Sequence, residues 1–123
     1  MQVDQPTLSK VKFAHPSEHF VAGVLDANGI RWDYEPFEFV LETDEMGRPT
    51  SAFRPDFFLP DWKLFLEVTT MNQKYVTSKN RKVRLLRELF PEVRIEVLYR
   101  RDVMSLVETI KGLQQERDEG FWI

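Results

Sequence analysis

Residues 53–69, Phe-Arg-Pro-Asp-Phe-Phe-Leu-Pro-Asp-Trp-Lys-Leu-Phe-Leu-Glu-Val-Thr, set two carboxylates, Asp56 and Glu67, inside a run of large apolar side chains. Both arms of the run are rich in aromatic and aliphatic residues and read as strands, with Asp61-Trp62 as a two-residue turn. In that hairpin Pro60 faces Lys63, Phe58 faces Phe65 and Asp56 faces Glu67. Directly opposed residues share a face of the sheet, with Cβ atoms about 4.5–5.5 Å apart. Phe57, Leu59, Leu64, Leu66 and Val68 mark the sheet as buried. The chain therefore brings two like charges together where water is scarce, which is destabilising unless a cation bridges them. Hard oxygen ligands at this spacing suit Mg²⁺ or Mn²⁺, which keep waters and accept phosphate oxygens. The alternative is a pair of rim carboxylates answered by Arg54 or a lysine.

The rest of the chain places this hairpin in a mixed α/β order. Pro16 suits the first position of a helix, after His15. Residues 17–28 carry Phe20, Val21, Val24 and Leu25 as one stripe, stopped by Asn28-Gly29. Residues 30–35 and 37–42 read as extended, with Pro36 marking an edge or a bend. A polar turn over 43–49 leads to strands 51–59 and 63–69, and 70–76 reads as a loop. Thr77 or Ser78 can cap a helix to about residue 90, which Pro91 ends. Residues 93–99 form a strand. A last helix opens at Arg101 or Asp102, with Val103, Leu106, Val107, Ile110 and Leu113 on one face. The order is α-β-β-β-α-β-α: a leader over 1–14, a single domain over 15–115 and a tail over 116–123.

Composition limits the function classes. A chain of 123 residues builds one core. No apolar run approaches the ~18 residues of a membrane span. The N-terminus has no signal-peptide pattern. The absence of cysteine excludes disulfides and thiolate chemistry and fits a cytoplasmic location. The net charge is −3, yet cations gather in one stretch. Lys74, Lys79, Arg81, Lys82, Arg84, Arg87, Arg94, Arg100 and Arg101 meet only Glu88, Glu92 and Glu96. A basic flank beside acids is what a metal-dependent nuclease uses, with cations on phosphates and carboxylates on metal. A solvated helix face is the plainer account of the same run.

Pro55-Asp56 followed by Glu67-Val68-Thr69, after a helix bearing Glu18, resembles the PD-(D/E)XK nuclease superfamily, whose core order is α-β-β-β-α-β. The resemblance runs from about residue 17 to residue 99. It implies a restriction-endonuclease-like fold, with a mixed central sheet flanked by helices. It implies that Asp56 and Glu67 bind Mg²⁺ or Mn²⁺, with a main-chain carbonyl near Val68, and that Glu18 contributes. An acid is also favoured at that helix position by the dipole alone. The expected activity is metal-dependent phosphodiester hydrolysis, of DNA in the first place.

The chain departs from the family at Thr69, where the motif has lysine. Threonine cannot stabilise developing charge as an ammonium does. Some members supply the group from the next helix. Lys79 lies four before Val83 and Lys82 four before Leu86, so either can reach toward Glu67. Lys82 is the preferred candidate, Lys79 the second and Lys74 a third. Arg81, Arg84 and Arg87, with Lys74, are expected on the phosphate backbone. More narrowly, residues 67–71 and 76–84 look like an N-terminal domain of some bacterial phosphoribosyltransferase-like proteins; no phosphoribosyltransferase site is present.

Two rival functions stand beside the nuclease. Thr69 supports a nuclease fold that has lost cutting and serves in nucleic-acid binding or assembly. The acidic balance and the terminal Phe121-Trp122-Ile123 support a regulatory or interaction domain. Those three residues either fold back or meet a partner, including a second copy. His15 and His19, four apart, offer a zinc spacing but no further ligands. Most aromatics read as core, with Trp62 in the turn the one expected to be exposed for base stacking.

Overall fold

A computed structural model describes residues 10–69 and 73–99, and beyond them only Ser105, Glu108, Gly112 and Gln115. Helix α1 (Pro16–Ala27) begins as the sequence predicts. His15 is extended (φ −139°, ψ 150°) and Pro16 takes the first turn, where its missing N–H costs nothing. Asn28 closes the helix, and Gly29 leaves it in the left-handed region at φ 67°.

The extended segments expected over 30–35 and 37–42, parted at Pro36, contain β1 (Asp33–Tyr34) and β2 (Phe39–Thr43). The strand expected over 51–59 starts earlier and divides into β3 (Pro49–Phe53) and β4 (Phe57–Leu59). These are two arms of one bent hairpin. β2 pairs antiparallel with β3, and β1 with β4. Pro36 and Pro55 lie in the gap, and neither has an N–H to give the ladder. A backbone bond from Glu35 N to Asp56 O, 2.8 Å, crosses it, with Glu35 at φ 48°. Asp56 thus sits where the hairpin bends.

β4 then pairs antiparallel with β5 (Leu64–Thr69), and the register is the expected one. Phe57 lies opposite Leu66, Phe58 opposite Phe65 and Leu59 opposite Leu64. The connection is wider than a two-residue turn, taking in residues 60–63 with Lys63 at φ 50°. Pro60 and Lys63 therefore lie outside the ladder. Helix α2 (Gln73–Leu89) crosses to β6 (Arg94–Tyr99), which runs parallel to β5. The result is a mixed four-stranded sheet in the order β1-β4-β5-β6 and a β2-β3 ribbon.

Period-two alternation along β5 sends its side chains to two cores. Leu64, Leu66 and Val68 pack with Val21, Ala22 and Leu25 of α1, together with Trp32, Phe57 and Leu59. Phe65 packs on the other cluster, with Val83 and Leu86 of α2 and Phe39, Leu41 and Phe53 of the ribbon. Among the described residues, α1 thus covers one face of the sheet and α2 the other. By the same alternation Glu67 and Thr69 belong to the α2 face.

Two expectations change. Helix α2 starts at Gln73, about a turn before the supposed caps Thr77 and Ser78, because Gln73 and Lys74 are good helix formers. Trp62 is buried, at 7 % exposure, since the wider turn folds its ring into the core with Leu59 and Leu64. Among the described residues, Phe20 and Phe37 are exposed instead. Part of the leader also joins the core, with Phe13 edge-on to Tyr34 at 4.9 Å between ring centroids. The last helix and Phe121, Trp122 and Ile123 lie outside the described residues, apart from Glu108, Gly112 and Gln115, which are helical. Among the described residues no helix is long and apolar enough to cross a membrane.

Candidate functional site

Asp56 and Glu67 meet at the bend. Asp56 N donates to Glu67 Oε1 at 3.1 Å, and Val68 N donates to Asp56 Oδ2 at 2.7 Å. Each carboxylate therefore clasps the backbone of the other's strand. Both are buried, Asp56 at 7 % and Glu67 at 2 % exposure. Burial, and then the neighbouring Glu67 charge, push the Asp56 carboxyl up to about 8. Burial also raises Glu67, against the pull of the Lys79 ammonium. Both carboxyls are thus pushed toward the protonated form, each by burial first, and the titration of one depends on the other.

Among the lysine side chains described, Lys79 is the one bonded to Glu67. Its Nζ lies 2.5 Å from Glu67 Oε2 and donates to the Val68 carbonyl at 3.0 Å. Lys82, the candidate preferred on spacing, donates instead to the Ala52 carbonyl of the ribbon at 3.1 Å. Both still line one cleft of about 290 Å³, with Glu18, Asp56 and Glu67. Glu18 is buried, facing inward with Val21 and Leu25 as its helical spacing predicts, and accepts the Tyr34 hydroxyl at 2.5 Å. Burial, and then that bond, raise the Tyr34 phenol above its ordinary range.

Comparison with protein-family models, curated proteins and solved structures finds no match to this chain. The site is therefore read from its own geometry.

The other basic residues divide. Arg84 and Arg87 line a second groove of about 460 Å³, with Asn80, Glu96 and Tyr99, between α2 and β6. Arg87 also donates to the Ile95 carbonyl at 2.8 Å. Arg81 lies 3.6 Å from Glu42. The Lys74 side chain lies outside the described residues. Sequence reasoning missed Arg54 and Ser78 as cleft-lining residues, and set His15 aside although it also lines the cleft. Arg54 stands two residues before Asp56, and pairs with Glu38 across the hairpin at 2.7 Å. His19 stacks edge-on against Phe13.

The donor set decides whether a divalent ion fits. Among the described residues no three His, Asp or Glu side chains form a metal cage. Lys79 bonds to Glu67 and to the Val68 carbonyl, and Asp56 lines the same cleft, so the donors at hand are all hard oxygens. Mg²⁺ is held by such sparse sets because it keeps much of its water. The residues present fit it.

Thr69 has a buried hydroxyl with no partner among the described residues, at 2 % residue exposure. An orphaned buried hydroxyl costs about 1–3 kcal/mol. Thr69→Val keeps the shape and removes the hydroxyl, so it should raise unfolding free energy by about 1 kcal/mol. Urea denaturation reads this directly. An unchanged or lower midpoint would mean that the hydroxyl has a partner.

Proposed function

We propose that this chain is a metal-dependent nuclease of the PD-(D/E)XK type, hydrolysing phosphodiesters of DNA. The observation that carries the reading is the meeting of Asp56, Glu67 and Lys79 in one cleft. The bent meander, crossover helix and parallel β6 are further support, since they follow the order expected of a restriction-endonuclease-like core. Two acids forced together in a buried sheet cost stability, which is understandable if a cation is their working partner.

In this reading Asp56, Glu67 and the Val68 carbonyl hold Mg²⁺ or Mn²⁺. The ion, when bound, lowers the pKa of its water and polarises the phosphate. Lys79 takes the role of the motif lysine. Its ammonium, on a flexible stem beside Glu67, orients the attacking water and meets developing negative charge. Lys82 and half-exposed Arg54 on the cleft wall hold the phosphate backbone, without reading sequence. Glu18, fixed by Tyr34, supplies a third carboxylate toward the cleft.

The test is cleavage of labelled single-stranded, double-stranded and branched DNA with Mg²⁺ or Mn²⁺, beside Asp56→Ala and Glu67→Ala. Cleavage by the wild type and its loss in both variants is expected. A folded wild type that cuts none of these sinks the nuclease reading. Thr69 at the motif position favours one alternative, a nuclease fold kept for binding. That alternative would show salt-dependent DNA binding without cleavage.

A further inference from the structure

We propose that the Lys79 ammonium is the site's own cation in the metal-free protein, and that Lys79 sets how tightly the site takes a divalent ion. This rests on the reading of Asp56 and Glu67 as a metal pair. Lys79 Nζ contacts Glu67 Oε2 and the Val68 carbonyl oxygen, at 2.5 and 3.0 Å. These are a carboxylate and a main-chain carbonyl, two of the three hard donors a divalent ion would use. A buried carboxylate without a counter-charge is strongly unfavourable, and Lys79 supplies that charge to Glu67. An ammonium and a dication at the same carboxylate oxygen repel each other and compete for its charge, so the ion enters more readily as Lys79 moves away.

The surroundings let it leave. The Lys79 side chain is a quarter exposed. It lines the cleft into which its flexible stem can turn. Lys82, one turn along α2, is already tied to Ala52 O and contacts neither carboxylate in this way. Displacement of Lys79 therefore opposes metal binding in the protein alone. The same displacement delivers an ammonium to the space where a phosphate would lie. Metal and a polyanionic substrate then favour one another, and linkage makes that reciprocal.

The probe is Mn²⁺ alone, titrated by calorimetry into wild type, Lys79→Met, Lys79→Gln and Glu67→Gln. Lys79→Met and Lys79→Gln should bind at least about tenfold tighter than wild type, a change in the usual range of site coupling, and Glu67→Gln should bind weakly or not at all. Wild-type binding as tight as that of both Lys79 variants, or tighter, overturns the proposal while leaving the metal pair intact. No binding by any protein, or binding unaffected by Glu67→Gln, overturns both. Should the Lys79 variants fail to fold, wild type labelled with ¹³C at lysine Cε gives the answer. Mg²⁺ should shift the Lys79 signal and leave that of Lys82 in place; a Lys79 signal unmoved at saturating Mg²⁺ overturns the displacement.

Discussion

Lys79→Ala is expected to lower Mg²⁺-dependent cleavage by about 10²–10⁴-fold, the usual worth of a positioned proton-transfer or charge-stabilising group. Lys82→Ala should cost only a few-fold. The difference follows from where the two ammoniums land. Lys79 touches Glu67 and Val68, inside the donor set, whereas Lys82 is held by Ala52 on the cleft wall. Loss at Lys79 should therefore fall on kcat, and loss at Lys82 on KM. One confounding effect has to be separated. Removing one partner of a buried ion pair costs about 3–5 kcal/mol of stability, so Lys79→Ala must be assayed well below its melting temperature, with its fold checked by circular dichroism. Saturating Mg²⁺ helps, because it returns a cation to Glu67. A further variant tests position as well as charge. Thr69→Lys in the Lys79→Ala background restores an ammonium to the strand, two residues after Glu67 and on the same face. It should recover part of the rate. Equal loss at Lys79 and Lys82, or an unimpaired Lys79→Ala, would remove Lys79 from the chemistry.

The hairpin was legible because its information is local. Alternation across Phe57–Leu59 and Leu64–Leu66 fixes which face each side chain takes, and a slip by one residue would expose the entire apolar set. That is why the pairing of Phe58 with Phe65 survives a turn of different width. Glu18 was legible for a similar reason, as its spacing to Val21 and Leu25 is a property of the helix alone. The choice between Lys79 and Lys82 was not local. They are three apart, so they share a helix face, and each precedes a buried residue by four. What separates them is the surface that α2 packs on. The β2-β3 ribbon puts Ala52 O under Lys82, and β5 puts Val68 O under Lys79. The division of the extended arms was only half visible. Pro36 signalled a bend, but its consequence for Asp56 depends on Pro55 lying in the same gap of the paired arm. Trp62 and the Arg84–Arg87 groove likewise depend on long-range packing, which pattern reasoning does not reach.

The stability of this protein should fall as pH rises from about 5 to 8, and Asp56→Asn should abolish much of that fall. The Asp56 carboxyl is pushed from its ordinary 3.8 up to about 8, first by burial and then by Glu67. Between those values the folded chain binds a proton that the unfolded chain has released. Unfolding then gives up that proton, and raising the pH favours unfolding. Below about pH 4 the carboxyl is protonated in both states and the effect is absent. Above about 8 it is ionised in both, and the penalty is complete. From pH 5 to 8 the slope integrates to about 4 kcal/mol. Asparagine keeps an oxygen for the Val68 N–H and carries no proton to lose. The difference between wild type and Asp56→Asn in urea denaturation cancels titrations elsewhere in the chain. Asp56→Asn should gain on wild type by about that amount across the window. Mg²⁺ should act in the same direction on wild type, stabilising it more at pH 8 than at pH 5, since binding the ion requires an ionised Asp56. Asp56→Asn offers no such charge and should respond little. Parallel profiles for the two proteins would mean that Asp56 is ionised throughout, and would remove the raised Asp56 carboxyl from the account of the pair.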